Sequence, residues 1–253
     1  MTVYFLGTGA GFSDLHRTTT MLAFRTEGSV IVVDCGGDVV QRLQQARVPL
    51  EEIAAVIITH EHPDHVAGFP LMMQKLWLGG RRAALPVHGI GPALAQARKC
   101  FAAFDTTGWE GLPEIQWREF PHQPGAVVID AAPWRVTAMP ALHGVPNVAL
   151  RVEQVPHGPV CGAVCVYSSD TGPSGEIARF AHGAHLLIHE ATGAYPGHST
   201  AADAAQIAAA AGVGALRLAH LPPAAVLGIE QMEAAREIFP FTSKAEELEA
   251  MEI

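Results

Sequence analysis

The run Ala55-Val56-Ile57-Ile58-Thr59, leading straight into His60-Glu61-His62-Pro63-Asp64-His65, constrains this chain more than any other feature. A nearly continuous Val/Ile run reads as a strand buried on both faces, and here it ends in three histidines and an aspartate. His60 and His62 are two apart, so in an extended segment both imidazoles project to one side and can chelate one metal ion. Asp64 and His65 follow a proline-assisted turn and can serve a neighbouring ion. Neutral imidazole and carboxylate are the ligand types zinc takes in hydrolytic sites. A lone His-x-His is as easily an incidental surface pair, but H-x-H-x-D-H directly behind a buried strand is a metal-binding pattern.

Elsewhere short apolar runs alternate with helical ones. Residues 3–6, 20–24, 30–33 and 55–59 read as strands, 38–46 as a helix after Gly36-Gly37, and 66–77 and 92–104 as further helices. From about 116 to 167 the pattern is one of short strands separated by Pro and Gly, with a hairpin near His157-Gly158-Pro159. The last third returns to helix and strand: 175–181, 185–189, 201–211, 215–219 and 229–238. No linker or low-complexity stretch divides the chain, so residues 1–253 are expected to form one α/β domain. Two mixed halves with strand-rich middles predict two facing sheets covered outside by helices.

Composition narrows the function. Hydrophobic residues make up 49% and charged residues 16% of the 253, as in an ordered globular protein. No apolar run approaches the roughly 18 residues of a membrane span, and Met1–Leu6 shows no basic leader or export pattern, so the expectation is a cytoplasmic protein without a membrane partner. Cys35, Cys100, Cys161 and Cys165 have no C-x-x-C spacing and are expected to be buried free thiols. The net charge is −9, with only three lysines. A polyanion-gripping protein carries a basic patch, so the balance leans away from large nucleic acids. A small phosphate ester needs no such patch, because divalent ions supply positive charge locally.

These residues resemble the motifs of the metallo-β-lactamase superfamily almost end to end. Asp34 in Val32-Val33-Asp34-Cys35-Gly36 is similar to its first motif, an aspartate that orients the metal loop; the alternative is a cap for the following helix. His143 in Ala141-Leu142-His143-Gly144 matches the third motif and would complete the histidine set of the first metal. Asp170 in Ser168-Ser169-Asp170-Thr171-Gly172 matches the fourth, a carboxylate bridging both metals. His220 in Leu218-Ala219-His220-Leu221 matches the fifth and would bind the second metal. The resemblance is closer to the ribonuclease Z group, carried by Phe5-Leu6-Gly7-Thr8-Gly9-Ala10-Gly11, His189-Glu190-Ala191-Thr192, Gly197-His198-Ser199-Thr200 and the tail from Ala235 to Ile253. Thr200 to Asp203 also has the outline of a capping box. Phe5–Gly11 lacks the Lys-Ser/Thr of a phosphate-binding loop and fits a tight turn beneath the site.

What the resemblance implies is a four-layer αββα metallo-β-lactamase sandwich holding two divalent metal ions, zinc first, with manganese or iron accepted by the same ligands. The metal set would be His60, His62, Asp64, His65, His143, Asp170 and His220. Asp64 would orient the attacking water, and His198, held by Glu190, would protonate the departing alkoxide. β-Lactamases, glyoxalases and lactonases of the fold generally lack the Glu190/His198 pair, so the expected activity is a phosphodiesterase acting on a small or cyclic phosphodiester or a short RNA end. Two departures weigh against transfer-RNA 3'-processing: no inserted arm fits between His143 and Asp170, and no Pro- and Lys/Arg-containing substrate loop is present. An acyl hydrolase of lactone, thioester or β-lactam type, a ribonuclease Z-type enzyme and a non-catalytic binding module are the alternatives. Ribonuclease Z relatives commonly dimerise, so a homodimer is expected. Arg17 is weighed as a phosphate contact against a surface arginine, and His16 lies beside it. The remaining histidines (His88, His122, His157, His182, His185 and His189) are read as surface or hydrogen-bonded core residues.

Overall fold

The computed structural model describes residues 1–155 and 162–253. The expected strands and their partners build two seven-stranded sheets. One holds β1 (Thr2–Gly7), β2 (Met21–Thr26), β3 (Ser29–Val33), β4 (Ile53–Ile58), β5 (Leu85–Gly89) and β6 (Ile115–Glu119). The other holds β7 (Ala126–Ala131), β8 (Trp134–Pro140), β9 (Val148–Gln154), β10 (Val164–Tyr167), β11 (Leu186–Glu190), β12 (Ala215–Ala219) and β13 (Thr242–Lys244). The C-terminal β14 (Ala250–Glu252) returns to the outer edge of β1, giving the orders β14-β1-β2-β3-β4-β5-β6 and β13-β12-β11-β10-β9-β8-β7. Strands β3 to β6 and β10 to β13 run parallel, and parallel neighbours need crossovers. In the first half these are α1 (Val39–Gln45), α2 (Pro63–Val66), α3 (Phe69–Leu78) and α4 (Gly91–Ala102). In the second they are α5 (Gly175–Phe180), α6 (Ala201–Ala211) and α7 (Ile229–Ile238).

The sheets face each other through one core. Phe5, Phe24, Ile31 and Ile57 of the first sheet share it with Val136, Leu150, Tyr167 and Ile188 of the second. A second cluster lies outside the second sheet, where Ala204, Ala205 and Ala208 of α6 pack on Val166, Leu187 and Leu216. Alanines let that helix approach closely, and each fully buried Leu or Ile it covers contributes about 1.5–3 kcal/mol. The result is the αββα sandwich expected from the sequence. No helix among the described residues is long and apolar enough to cross a membrane.

Local departures have identifiable causes. The helix expected over 66–77 is two helices, and the first begins at Pro63. Proline lacks an N–H and pre-sets the helical φ, so it nucleates a turn earlier than the apolar periodicity suggests. Asp64 and His65 therefore sit on the first turn of α2 and not in a loop. Asp38 caps α1 by accepting from Gln41 N at 3.0 Å, which leaves Asp34 free of that task. Strands β5, β13 and β14 escaped the sequence reading: the first contains Pro86, and the others span three residues each. Strands β9 and β10 pair antiparallel, while the hairpin tip at 157–159 lies outside the described residues, as does Cys161. Cys35 and Cys165 are buried, and Cys100 is only half-buried.

Candidate metal centre

The metal-set candidates and Glu190 stand at or just beyond the carboxyl ends of strands from both sheets, and His198 lies in the segment between β11 and α6. Strand β4 leads to His60, His62, Asp64 and His65; β8 to His143; β10 to Asp170; β11 to Glu190; β12 to His220. The two halves are stitched there by Ala10 N donating to Leu221 O at 3.0 Å and Leu221 N to Thr8 O at 2.8 Å. Three turning points adopt left-handed backbone without being glycine: Asp34 (φ 62°), Ser169 (φ 51°) and His220 (φ 51°). Each costs about 1–2 kcal/mol, a strain held only where surrounding contacts over-determine the conformation. Two glycines make room. A Cβ on Gly36 would lie 1.8 Å from Asp64 O, and one on Gly11 would lie 3.0 Å from Asp64 Oδ2.

Seven side chains converge in two sets. His60, His62, His143 and Asp170 form one, and Asp64, His65 and His220 the other. His62 Nδ1 lies 3.1 Å from His60 Nε2 and 3.2 Å from His143 Nε2. His220 Nε2 lies 3.4 Å from His65 Nε2 and 3.3 Å from Asp64 Oδ2. Asp170 faces both sets: Oδ2 is 3.8 Å from His60 Nε2, while Oδ1 is 3.5 Å from His65 Nε2 and 3.4 Å from His220 Nε2. Ligand atoms about 2.0–2.1 Å from a tetrahedral ion stand about 3.3 Å apart, so the spacings suit two divalent ions sharing Asp170. Oδ1 of Asp170 is buried with no hydrogen-bond partner. A buried orphan acceptor is costly, and a cation between the two histidines and this oxygen removes that cost.

Hydrogen bonds behind the cluster aim the rings. His65 Nδ1 donates to Asp34 Oδ2 at 2.8 Å, His60 Nδ1 to Thr59 Oγ1 at 3.0 Å, His143 Nδ1 to Gly197 O at 2.9 Å and His220 Nδ1 to Thr192 Oγ1 at 2.7 Å. Each bond fixes the tautomer that leaves Nε2 free to bind a metal. His62 alone presents Nδ1. Asp34 Oδ1 also accepts from Thr59 N at 2.8 Å. Asn147 Nδ2 donates to the Asp170 carbonyl at 2.7 Å, and Asn147 Oδ1 accepts from Ser169 Oγ at 3.0 Å.

Glu190 is fully buried. Its Oε1 accepts from His198 Nδ1 at 2.9 Å and from the Thr171 and Ser199 amides at 3.1 and 3.2 Å, and its Oε2 accepts from Thr192 N at 2.8 Å. His198 thus has one nitrogen committed and the other free beside the metal set, where it also groups with Asp170 and His220. Thr200 and Asp203 do form the capping box of α6, so the motif serves structure and site at once.

Charges are tuned to match. Burial, followed by the neighbouring His65, holds His60 far below the ordinary imidazole range, and burial followed by His143 lowers His62. Both therefore offer neutral donors. Burial opposes ionisation of Asp170, but His220 and His65 hold it well below the usual carboxylate range. The Glu190 bond raises His198 against the effect of burial.

The metal-set residues, Glu190 and His198 come together here as expected from sequence, while Arg17 and His16, which the sequence left open, are not among them. Arg17 points away from the centre: it donates to Thr8 Oγ1, to Ala245 O at 3.0 Å and to Glu246 at 3.4 Å, tying the first loop to the C-terminal segment. His16 is exposed. Thr59, Asn147, Thr171 and Thr192 escaped the sequence reading, because single Thr and Asn residues carry no signal without spatial context. The positions of Thr59 directly before His60, of Thr171 after Asp170 and of Thr192 at the end of the His-Glu-Ala-Thr motif were the available signals.

The family described as a beta-lactamase superfamily domain matches residues 30–221. Ribonuclease Z of Methanothermobacter thermautotrophicus is 30% identical over 306 aligned positions, covering 100% of this chain and 97% of the relative. With 253 residues here, that relative carries segments this chain lacks. The probable metallo-hydrolase YhfI of Bacillus subtilis is 30% identical over 232 positions, 88% of this chain and 87% of that protein. Its crystal structure superposes with a TM-score of 0.80 at 25% identity, covering 99% of this chain and 98% of that one. The short form of human tRNase Z has the same fold, with a TM-score of 0.80 at 22% identity and coverage of 100% and 99%.

Proposed function

This chain belongs to the beta-lactamase superfamily and is a metallo-hydrolase of that fold, and from that premise we propose that it is a dimetal phosphodiesterase acting on a small or cyclic phosphodiester or a short RNA end. The observation that carries the reading is the His198–Glu190 pair at 2.9 Å, set against the Asp170 cluster in one pocket. His60, His62, His143 and Asp170 would hold one ion, and Asp64, His65 and His220, with Asp170 beside them, the other. Zinc suits this donor set best, and manganese or iron would also be accepted. When bound, the ions supply positive charge for the phosphate oxygens and a water whose pKa falls to near neutral. Asp64, whose Oδ2 lies beside His220 in the pocket lining, would orient the attacking water and accept its proton. His198 keeps its proton through the Glu190 bond and delivers it from the uncommitted ring nitrogen to the departing alkoxide. Opening a β-lactam or a thioester does not require an acid at that place.

Transfer-RNA processing is the weaker reading. The ribonuclease Z relative carries segments missing here, and the pocket lining contains no lysine or arginine. The zinc-loaded protein is expected to hold about two ions and to cleave chromogenic or cyclic phosphodiesters faster than a precursor transfer RNA, a lactone or a β-lactam. His198→Ala should lower kcat on the preferred diester by about 10²–10⁴-fold with the metal count unchanged. Undiminished diester hydrolysis in that variant, or a faster acyl reaction in the native protein, would overturn the proposal.

A further inference from the structure

The catalytic pocket has a volume of about 470 Å³. That lies within the range of about 300–1,000 Å³ that receives a small ligand. Apart from the site residues, much of its lining is Phe12, Tyr195, Pro222, Pro223 and Val226. Among the described residues four large aromatics are exposed, Phe12, Phe104, Tyr195 and Phe241, and two of them stand here, at 82% and 55% exposure respectively for Phe12 and Tyr195.

Both are held in place by fixed backbone. On one side of Phe12, Ala10 N donates to Leu221 O. On the other, Ser13 Oγ donates to the same carbonyl at 2.7 Å, and Asp14 accepts from Ala224 N at 3.1 Å. The loop carrying Phe12 is therefore latched to the segment carrying Pro222, Pro223 and Val226. The Tyr195 carbonyl accepts from His198 N at 3.0 Å, which couples that ring's position to the proposed acid. Exposed aromatic rings on anchored loops at a reaction centre are stacking platforms in waiting.

Electrostatics limits what can lie on them. Outside the histidines, the only side chains in the lining that carry charge at neutral pH are Asp64 and Asp170. Arg17, the nearest arginine in sequence to the Phe12 loop, is spent on Thr8, Ala245 and Glu246. Among the lining residues positive charge is thus confined to the metal centre and His198, so a second phosphate held within the pocket meets no further cation.

We propose that the pocket selects phosphodiesters carrying a single negative charge and one planar ester group of nucleoside size, seated against Phe12 and Tyr195. This rests on the phosphodiesterase reading. The test uses three trifluoroethyl diesters followed by fluorine NMR with the zinc-loaded protein: the methyl ester, the thymidine 5'-ester, and the thymidine 5'-ester bearing an extra 3'-phosphate. The aliphatic leaving group is common to all three, so it cannot itself occupy the aromatic subsite.

The nucleoside ester is expected to exceed the methyl ester in kcat/KM by about 5- to 150-fold, the range that stacking on an aromatic side chain supports. The 3'-phosphorylated ester should fall below the nucleoside ester. Tyr195→Ala and Phe12→Ala should each pull the nucleoside-to-methyl ratio toward unity, whereas Leu78→Ala, at an exposed site on α3, should keep it. Equal rates on the first two esters, a ratio indifferent to both aromatic substitutions, or a preference for the doubly phosphorylated ester would overturn the inference and leave the phosphodiesterase reading standing. Hydrolysis of a lactone with no diester hydrolysis at all would sink that reading, and this inference with it.

Discussion

Asp34 and His65 are joined by a 2.8 Å hydrogen bond from Nδ1 to Oδ2, while the other oxygen of Asp34 accepts from Thr59 N at the same distance. One buried carboxylate thus ties the end of the metal-bearing strand to a ligand candidate on the next helix. Asn tolerates the left-handed φ of 62° at this position, so Asp34→Asn keeps the backbone and changes only the bonding. Its amide must turn an N–H toward either Thr59 N–H or His65 Nδ1–H. Zinc affinity should fall by about 10- to 100-fold in competition with a chromophoric chelator, with circular dichroism unchanged. Native affinity in this variant would remove Asp34 from the ligand-orienting role.

Asp170 spreads its two oxygens over both ligand sets, 3.8 Å from His60 and 3.4 Å from His220. His143 touches only the first set. The two substitutions should therefore separate. His143→Ala is expected to retain about one ion per chain, and Asp170→Ala fewer than one, by elemental analysis after gel filtration. Both should lose hydrolysis. A full ion surviving in Asp170→Ala would mean that the carboxylate serves one side only.

The first-half strands up to Ile58 and the ligand string were legible because both depend on local pattern. Val and Ile in an unbroken run read as buried strand, and His60, His62, Asp64 and His65 lie within six residues of one another. His143, Asp170 and His220 were legible only through resemblance, since each stands alone behind its own strand, and nothing in the local sequence says that three strand ends meet. What stayed hidden depends on three-dimensional closure. Asn147 gains its role because its amide reaches the Asp170 carbonyl 23 residues away, and the left-handed turns at Ser169 and His220 fall on residues with no intrinsic need for them. The early start of α2 was readable in hindsight from Pro63, but the apolar periodicity after Val66 masked it.

Gly36 should be intolerant of any side chain. A Cβ there would sit 1.8 Å from the Asp64 carbonyl oxygen and 2.1 Å from its carbon, and neither belongs to a flexible side chain. Gly36→Ala is therefore expected to displace α2, costing more than about 3 kcal/mol in urea denaturation and releasing bound metal. Gly28 supplies the contrast. It has φ 68° and nothing within 4 Å of its Cβ position, so Gly28→Ala should cost only about 1–2 kcal/mol of backbone strain and leave metal binding intact. A loss at Gly36 no larger than that at Gly28 would show that the Asp64 backbone gives way to a side chain there without real cost.

His88 offers a pH signature away from the metals. It lies on β5 opposite Arg118 of β6, and burial first, then Arg118, lowers its pKa to about 4 from the ordinary 6.5, while a bond to the Val128 backbone partly opposes the shift. Between those values the unfolded chain binds a proton that the folded chain refuses, so stability falls as pH drops. The penalty is absent above about pH 6.5, grows toward pH 4 and then levels off. Because the ring is partly exposed, solvent screening reduces its full size to about 1–2 kcal/mol. His88→Phe removes the titration, so native minus variant stability, from urea curves at pH 7 and pH 4.5, should shrink by that amount at the lower pH. Loss of metal at low pH affects both proteins alike and cancels in the difference. A difference that stays constant with pH would mean that His88 binds its proton equally well folded and unfolded.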